Sequence, residues 1–479
     1  MAGALIINCR PYETRVALLE NGRLAELYIE RENSQYILGN IYKGKVIRVL
    51  PGIQAAFLNI GLNRTGFLCA QDMNATEKDA ILSIEASLYE GQEIMVQVAK
   101  APTKAKGARL TTNIAIPGRR LVLLPHSTHI GISRKIKDKQ ERDRLKEIID
   151  EIRPKDMGII ARTISKGVSK DKLSSEIRFL LRLWEEIRSK MERASAPALL
   201  YKEPSMTLKA VRDLFTREVD HLVIDSREEY DAVMNFVNSF APGLRYSIEL
   251  YDNSSPIFEH YGIEAEIEKT LKRRVCLKSG GYIVIEQTEA LTAIDVNTGG
   301  YVGKDDPEET ALRTNLEAVK EIAYQVRLRN IGGLIVIDFI DMHKKSDRDR
   351  VFNALKEAFN KDKAKTNIQY ISTLGLVEMT RERTRLDLKE SLAETCPYCS
   401  GRGLVRSRQS ICYEIFRELE RKKGTLSDEK IHVLVHPEIE IFIRECEQGH
   451  LKEMEQSLRR KIVFIPKGDL HIEKYEIVS

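Results

Sequence analysis

Three apolar β-type runs lie between Tyr282 and Asp341: YIVIEQ, ALTAID and LIVID, of which the last two each end on an aspartate, Asp295 and Asp338. The stretch between the two aspartates reads as a helix. Asp306 is a good N-cap, Pro307 suits the first helical position, and Glu309 completes a capping box. Leu312, Leu316, Val319, Ile322, Ala323 and Val326 then recur at helical spacing, and Gly332-Gly333 ends the helix. A strand–helix–strand unit of this kind admits few folds. With the usual crossover its strands run parallel and both aspartates project from the same edge. Neighbouring strands lie about 4.8 Å apart, so the two carboxylates could share one hard cation. Mg2+ suits such a place, because it takes one or two carboxylates, keeps several waters and accepts a substrate phosphate as a further ligand. Asn297 and Thr298, just past Asp295, could orient a water or the phosphate, and Asp341 could support Asp338. An aspartate at a strand end is also ordinary turn chemistry. Spacing alone leaves the two readings open.

The chain of 479 residues is too long for one compact domain. Residues 3–30 read as strands, with Asn21-Gly22 a hairpin turn. From Gly39 a new pattern of short strands begins, broken at Pro51-Gly52, Gly61-Leu62-Asn63 and Gly91, which is material for a five-stranded barrel over residues 39–116. Phe57 and Phe67 fall on its strands beside Lys43, Lys45 and Lys106. Aromatics flanked by lysines can stack bases and follow phosphates, although either phenylalanine could equally be core. The net charge of +5 does not by itself imply a nucleic-acid partner. Local basic runs exist at Lys100–Arg109, Arg381–Arg385 and Arg402–Arg408, each of which also reads as a solvated face. No uncharged stretch approaches the ~20 residues needed to span a bilayer, and the first residues do not resemble a signal peptide. Seven scattered cysteines do not form a disulfide framework, which points to a soluble protein of the reducing cytoplasm. Cys396-Pro397-Tyr398-Cys399 looks like half of a zinc site, with no second CxxC to complete four ligands. Cys412 sits in a helical pattern that favours core, and no thioredoxin-like unit with a helix opened by this CxxC is read here.

AIDVNTG at 293–299 and GGLIVIDFIDM at 332–342, with TNLEA from Thr314 between them, resemble the metal-binding motifs of the ribonuclease E/G family. The likeness runs from ETRVALLENG through the cysteine pair, and NTGGYVGKDD together with the chain length resembles the G branch more than the E branch.

That resemblance implies a multidomain α/β protein. Residues 1–38 with 208–270 would form an RNase H-like unit split by an OB-fold RNA-binding barrel at 39–116 and a 5′-monophosphate sensor region at 117–207. A DNase I-like catalytic domain at 271–393, a zinc-link at 394–406 and a small assembly domain at 407–479 would follow. It implies an Mg2+-dependent endoribonuclease that cuts single-stranded RNA, is stimulated by a 5′-monophosphate, and leaves 5′-phosphate and 3′-hydroxyl ends. Its substrates would be precursors of ribosomal RNA and messenger RNA. Asp295 and Asp338 would be the metal ligands, with Asn297 positioning Asp338 or the attacking water. Phe57, Phe67 and Lys106 would touch RNA, while Gly118, Val122, Arg162 and Thr163 would hold the end phosphate. Arg120 stands where many relatives carry an aromatic residue. Cys396 and Cys399 would share a structural Zn2+ with the same pair of a second chain, giving a homodimer and leaving a tetramer open. The alternative from another class is a non-catalytic OB-fold RNA-binding protein, which has no reason to place two acids near phosphate.

Overall fold

The computed structural model describes residues 3–31, 37–73, 84–102, 107–215, 219–240, 247–299, 307–360, 362–372, 374–383, 385, 387–424 and 430–478. It divides into two compact units, Met1–Ser391 and Leu392–Ser479.

The first unit opens with a meander of apolar strands, β1 (Gly3–Arg10), β2 (Glu13–Glu20) and β3 (Arg23–Arg31). Asn21 and Gly22 both have positive φ, the conformation a two-residue hairpin turn requires. The barrel follows as β4 (Ile41–Leu50), β5 (Ala55–Asn59), β6 (Gly66–Cys69), a single helical turn α1 (Ile84–Ser87), β7 (Glu93–Lys100) and β8 (Arg109–Thr111). The order β4-β5-β6-β8-β7 closes because β7 pairs back onto β4. Val46, Leu58, Leu68, Val96 and Leu110 fill its interior.

Next come β9 (Ile116–Pro117), β10 (Leu121–Leu124), β11 (Ile130–Ile132), α2 (Lys139–Ile152), β12 (Gly158–Ala161) and α3 (Lys170–Arg193). They form a sheet of order β11-β12-β10-β9 whose core includes Leu121, Leu123, Ile159, Leu180 and the lone Trp184. β13 (Ala198–Tyr201) returns to pair with β4. The chain then rejoins its own beginning through α4 (Met206–Leu214), β14 (Val219–Ile224), α5 (Arg227–Phe240) and β15 (Ile248–Leu250). β14 lies parallel to both β1 and β15, so the opening sheet has the order β15-β14-β1-β2-β3. Two short helices, α6 (Ile257–His260) and α7 (Ile263–Thr270), lead out of it.

The remaining sheet is built from β16 (Arg274–Cys276), β17 (Tyr282–Gln287), β18 (Leu291–Asn297), α8 (Pro307–Leu328), β19 (Gly333–Asp338), α9 (Lys345–Phe359), β20 (Thr366–Ile368) and β21 (Leu376–Arg381), with α10 (Leu388–Leu392) after it. Its order is β16-β17-β18-β19-β21-β20. The helix between the aspartates begins at Pro307 as the sequence indicates; its expected N-cap, Asp306, lies outside the described residues. Alternation decides which face is covered. Thr292, Ile294 and Val296 of β18 and Ile335 and Ile337 of β19 are buried, and the apolar ones among them join Leu312, Val319, Ile322 and Val326 of α8 in one core. At Asp295 and Asp338, on the opposite face, the side chains are exposed.

The second unit contains α11 (Arg408–Arg421), β22 (Lys430–Val435), α12 (Pro437–Cys446), α13 (Gln448–Leu458), β23 (Lys461–Pro466) and β24 (Tyr475–Val478). β22 is central, parallel to β23 and antiparallel to β24, over a core of Ile411, Ile415, Leu419, Val433 and Ile439. Cys412 is fully buried in that core. Among the described residues no helix is long and apolar enough to cross a membrane.

Candidate functional site

The parallel pairing of β18 and β19 puts Asp295 and Asp338 directly opposite each other. Both carboxylates therefore stand about one strand spacing apart on the same face, where both are exposed. Asn297, two residues on and on that same face, donates from Nδ2 to Asp295 Oδ2 at 2.7 Å. The amide thus orients Asp295, whereas the family resemblance pointed to Asp338 or a water. Partial burial, then the negative charges of Asp295 and Asp341, raise the Asp338 carboxyl above the usual carboxylate range. Among the described residues neither aspartate has an ion-pair partner, and no group of three or more metal-ligating side chains gathers anywhere. Two carboxylates repelling each other without a cation between them are a donor set that fits a hard divalent ion with water and phosphate as its other ligands.

Two residues that sequence reasoning passed over hold this geometry in place. Asn315, fully buried on α8, donates to the Ile340 carbonyl at 2.8 Å and accepts from the Ile340 N–H at 3.0 Å, which pins the chain just beyond Asp338. Glu317, also on α8, accepts from the backbone N–H groups of Lys278 and Ser279 and so fixes the loop before β17. That loop lies close against the end of β18. A Cβ on Gly299 would stand 2.5 Å from the Gly280 carbonyl oxygen. Both residues belong to TNLEA, and the signal available beforehand was polar side chains on a helix whose neighbours are core.

On the barrel, register produces a row that spacing could not show. Arg48 of β4 opposes Phe57 of β5, Phe57 opposes Phe67 of β6, and Phe67 opposes Arg109 of β8. The two half-exposed rings meet edge to face with centroids 5.7 Å apart. Arg109 is held by Asp72 at 2.6 Å, while Arg48 is exposed. Lys106 lies outside the described residues. Lys43 does not flank the aromatics as a free cation, because its Nζ donates to the carbonyls of Met191 and Ala194 at the end of α3 and pairs with Glu93.

In two of the basic runs the guanidiniums already have partners, although only Arg381 is buried. Arg381 is buried against Asp362 at 2.7 Å and donates to Asn330, Arg383 donates to the Gly332 carbonyl, and Arg385 lies 3.8 Å over the Tyr28 ring. Arg402 pairs with Glu473, Arg406 with Glu414, and Arg408 with Glu438.

Gly118, Val122, Arg162 and Thr163 lie on or just after β9, β10 and β12, which are neighbours in one sheet; of the four, Gly118 and Arg162 are in direct contact. The Arg162 N–H donates to the Arg120 carbonyl, and its guanidinium donates to the Gly118 carbonyl at 2.9 Å and to Asp213 at 2.6 Å. Thr163 is exposed and shares a 2.8 Å hydrogen bond with Ser133. A Cβ at 118 would stand 2.5 Å from Glu176 Oε1 and 3.0 Å from the Leu121 carbonyl oxygen, so a larger residue there would displace the Glu176 carboxylate. Arg120 turns away to pair with the buried Glu176.

In the second unit Cys396 is exposed and Cys399 half-exposed, in a turn well before α11. The backbone N–H of Gly403 points at Cys399 Sγ from 3.4 Å, and this with a bond from Cys396 lowers the thiol's pKa. Two thiols supply half of a tetrahedral zinc set.

A family model described as the ribonuclease E/G family matches residues 115–384, and one described as the RNase E/G thioredoxin-like domain matches residues 395–479. The second corrects the sequence reading, which found no thioredoxin-like unit; the CxxC still does not open a helix. Ribonuclease G of Haemophilus influenzae is 42% identical over 99% of both chains. Ribonuclease G of Escherichia coli K12 is 40% identical over the whole of both. Ribonuclease E of Escherichia coli K12 is 37% identical over all of this chain and 46% of its own length.

Proposed function

The chain belongs to the ribonuclease E/G family and is an endoribonuclease, and from that premise we propose that it hydrolyses single-stranded RNA at Asp295 and Asp338 with Mg2+. The observation that carries this reading is the in-register pair itself, two facing carboxylates neither of which has an ion-pair partner among the described residues. When bound, Mg2+ would neutralise charge developing on the phosphoryl group and acidify the attacking water. The protein's part is orientation. Asn297 holds one carboxylate, Asn315 fixes the chain that follows the other, and the carboxyl of Asp338 is raised first by partial burial and then by the charges of Asp295 and Asp341, the part a cation would relieve. The products would carry 5′-phosphate and 3′-hydroxyl ends.

The Phe57–Phe67 pair between Arg48 and Arg109 supports a path for unpaired RNA, with bases on the rings and phosphates near the cations. The cluster of Gly118, Val122, Arg162 and Thr163 supports capture of a 5′-monophosphate, which would stimulate cutting. In this reading residues 1–38 with 208–270 are the RNase H-like unit, 39–116 the OB-fold, 117–207 the sensor and 271–393 the DNase I-like catalytic domain. Cys396 and Cys399, with the same pair of a second chain, would bind Zn2+ in a homodimer. Maturation of ribosomal RNA 5′ ends and decay of messenger RNA in the cytoplasm are the matching cellular work.

The test compares unstructured RNAs bearing 5′-monophosphate, 5′-triphosphate or 5′-hydroxyl ends, with Mg2+ or with EDTA. Internal cutting that needs Mg2+, is fastest on the monophosphate and leaves a ligatable 3′-hydroxyl is the expected result. Tight binding with no cutting under any condition would instead favour an RNA-binding protein.

A further inference from the structure

The sheet that carries the aspartates buries one face under α8, while the described residues on the other face are half-exposed or exposed, and register orders what stands there. Arg274, Val284, Asp295, Asp338 and Leu376 lie in one row across five strands. Cys276, Tyr282 and Asn297 lie in the adjacent row. Tyr282 is therefore the direct cross-strand neighbour of Asn297, whose amide holds Asp295. It is also a diagonal neighbour of Asp295 itself, a relation that spans about 7–8 Å.

The Arg274 guanidinium lies 3.6 Å over the Tyr282 ring. This stack serves no evident need of the fold. Arg274 is exposed and Tyr282 half-exposed, and neither belongs to the core cluster beneath the sheet. Among the described residues Arg274 has no ion-pair partner and the Tyr282 hydroxyl no hydrogen-bond partner. The neighbouring Arg273 shows the contrast, since it pairs with Glu286. On a face that also presents Asp295, Asp338, Glu286 and Glu378, Arg274 is a cation two strands from Asp295 that has no ion-pair partner among the described residues. A planar guanidinium on an aromatic ring is the kind of platform on which an unpaired base stacks.

We propose that Arg274 and Tyr282 form a shelf for the base of a nucleotide adjoining the scissile phosphate, setting which phosphodiester lies over the aspartates. The shelf rests on the reading of Asp295 and Asp338 as the cleavage site. It binds any base by its π face, so it fixes the register of the strand without demanding a sequence.

The experiment uses the full chain, Mg2+ and a short 5′-monophosphorylated RNA with one mapped cut, together with a set in which each nucleotide near the cut is made abasic in turn. With wild type, one abasic position is expected to lower kcat/KM about tenfold, the value of one base stack. Tyr282→Ala should show the same loss on intact RNA and no further loss at that one position, while Tyr282→Phe keeps wild-type behaviour. Arg274→Ala, a change at an exposed side chain, should show a smaller loss at the same position. Equal losses for Tyr282→Ala on every substrate would mean a structural role and overturn the shelf. So would wild-type cutting that is indifferent to every abasic position. A wild type that cuts none of these RNAs would overturn the underlying site assignment, and the shelf with it.

Discussion

Replacing Asn315 with leucine changes little volume but removes both hydrogen bonds that tie α8 to the backbone at Ile340. Asn315 is fully buried, so its loss leaves one N–H and one C=O of Ile340 without their partner. Each unsatisfied group costs about 1–3 kcal/mol when water cannot reach it. Ile340 is only half-buried and water can serve it in part, so about 2 kcal/mol for the pair is the reasonable figure. The loss should be local, in β19 and the chain after it. Fluorescence would miss it, because the only tryptophan, Trp184, sits in the core of the β9–β12 sheet. Hydrogen exchange of peptides covering 330–345 is the suitable assay, and about 2 kcal/mol corresponds to a roughly 30-fold loss of protection. Because Ile340 lies two residues past Asp338, kcat should fall while KM is nearly unchanged; a misplacement near 1 Å can cost about a hundredfold. Exchange within threefold of wild type together with unchanged kcat would refute the argument that α8 holds Asp338 in place.

Glu26 is buried; burial alone would raise its carboxyl, but Lys363, Arg327 and the Tyr28 hydroxyl outweigh that and bring it down to about 2. A depressed carboxyl stabilises the fold fully above its unfolded value near 4.5, and that contribution is lost as pH falls from there through about 2. Glu26→Gln should therefore cost about 3 kcal/mol at pH 7 and distinctly less at pH 3, read from denaturation midpoints of the pair at both values; a difference independent of pH would contradict the ion-pair account. Phe57→Ala or Phe67→Ala should weaken binding of unpaired RNA by about 1–3 kcal/mol at fixed salt, measured by anisotropy, with melting of the chain little changed. Cys396→Ser should abolish zinc in the purified protein and shift it from dimer to monomer by light scattering; a variant that stays dimeric would remove the shared-zinc interface from the account.

The parts of the fold visible in the sequence were those with local signals. The turn at Asn21-Gly22 and the strand–helix–strand unit around the aspartates follow from periodicity and capping within a few residues of each feature. The parallel return of β14 onto β1 had no such signal, since it joins residues more than two hundred positions apart. Register is equally non-local. That is why the Arg48–Phe57–Phe67–Arg109 row and the Arg274–Tyr282 stack emerged only from the structure. The basic runs stayed open in the sequence for the complementary reason. Arg381 looks like a surface charge until Asp362 is seen beside it, and Arg385 until Tyr28 is. Composition counts charges, and only tertiary structure says which of them are already spoken for.

The central claim is that Asp295 and Asp338 together form the cutting site. The most direct measurement is cleavage of a 5′-monophosphorylated, unstructured RNA in Mg2+ by wild type, Asp295→Asn and Asp338→Asn, with RNA affinity of all three measured alongside. The account requires internal cutting by wild type and a loss of at least about a hundredfold in each variant, with RNA still bound. Variants that cut as fast as wild type would contradict it and place the chemistry elsewhere on the chain.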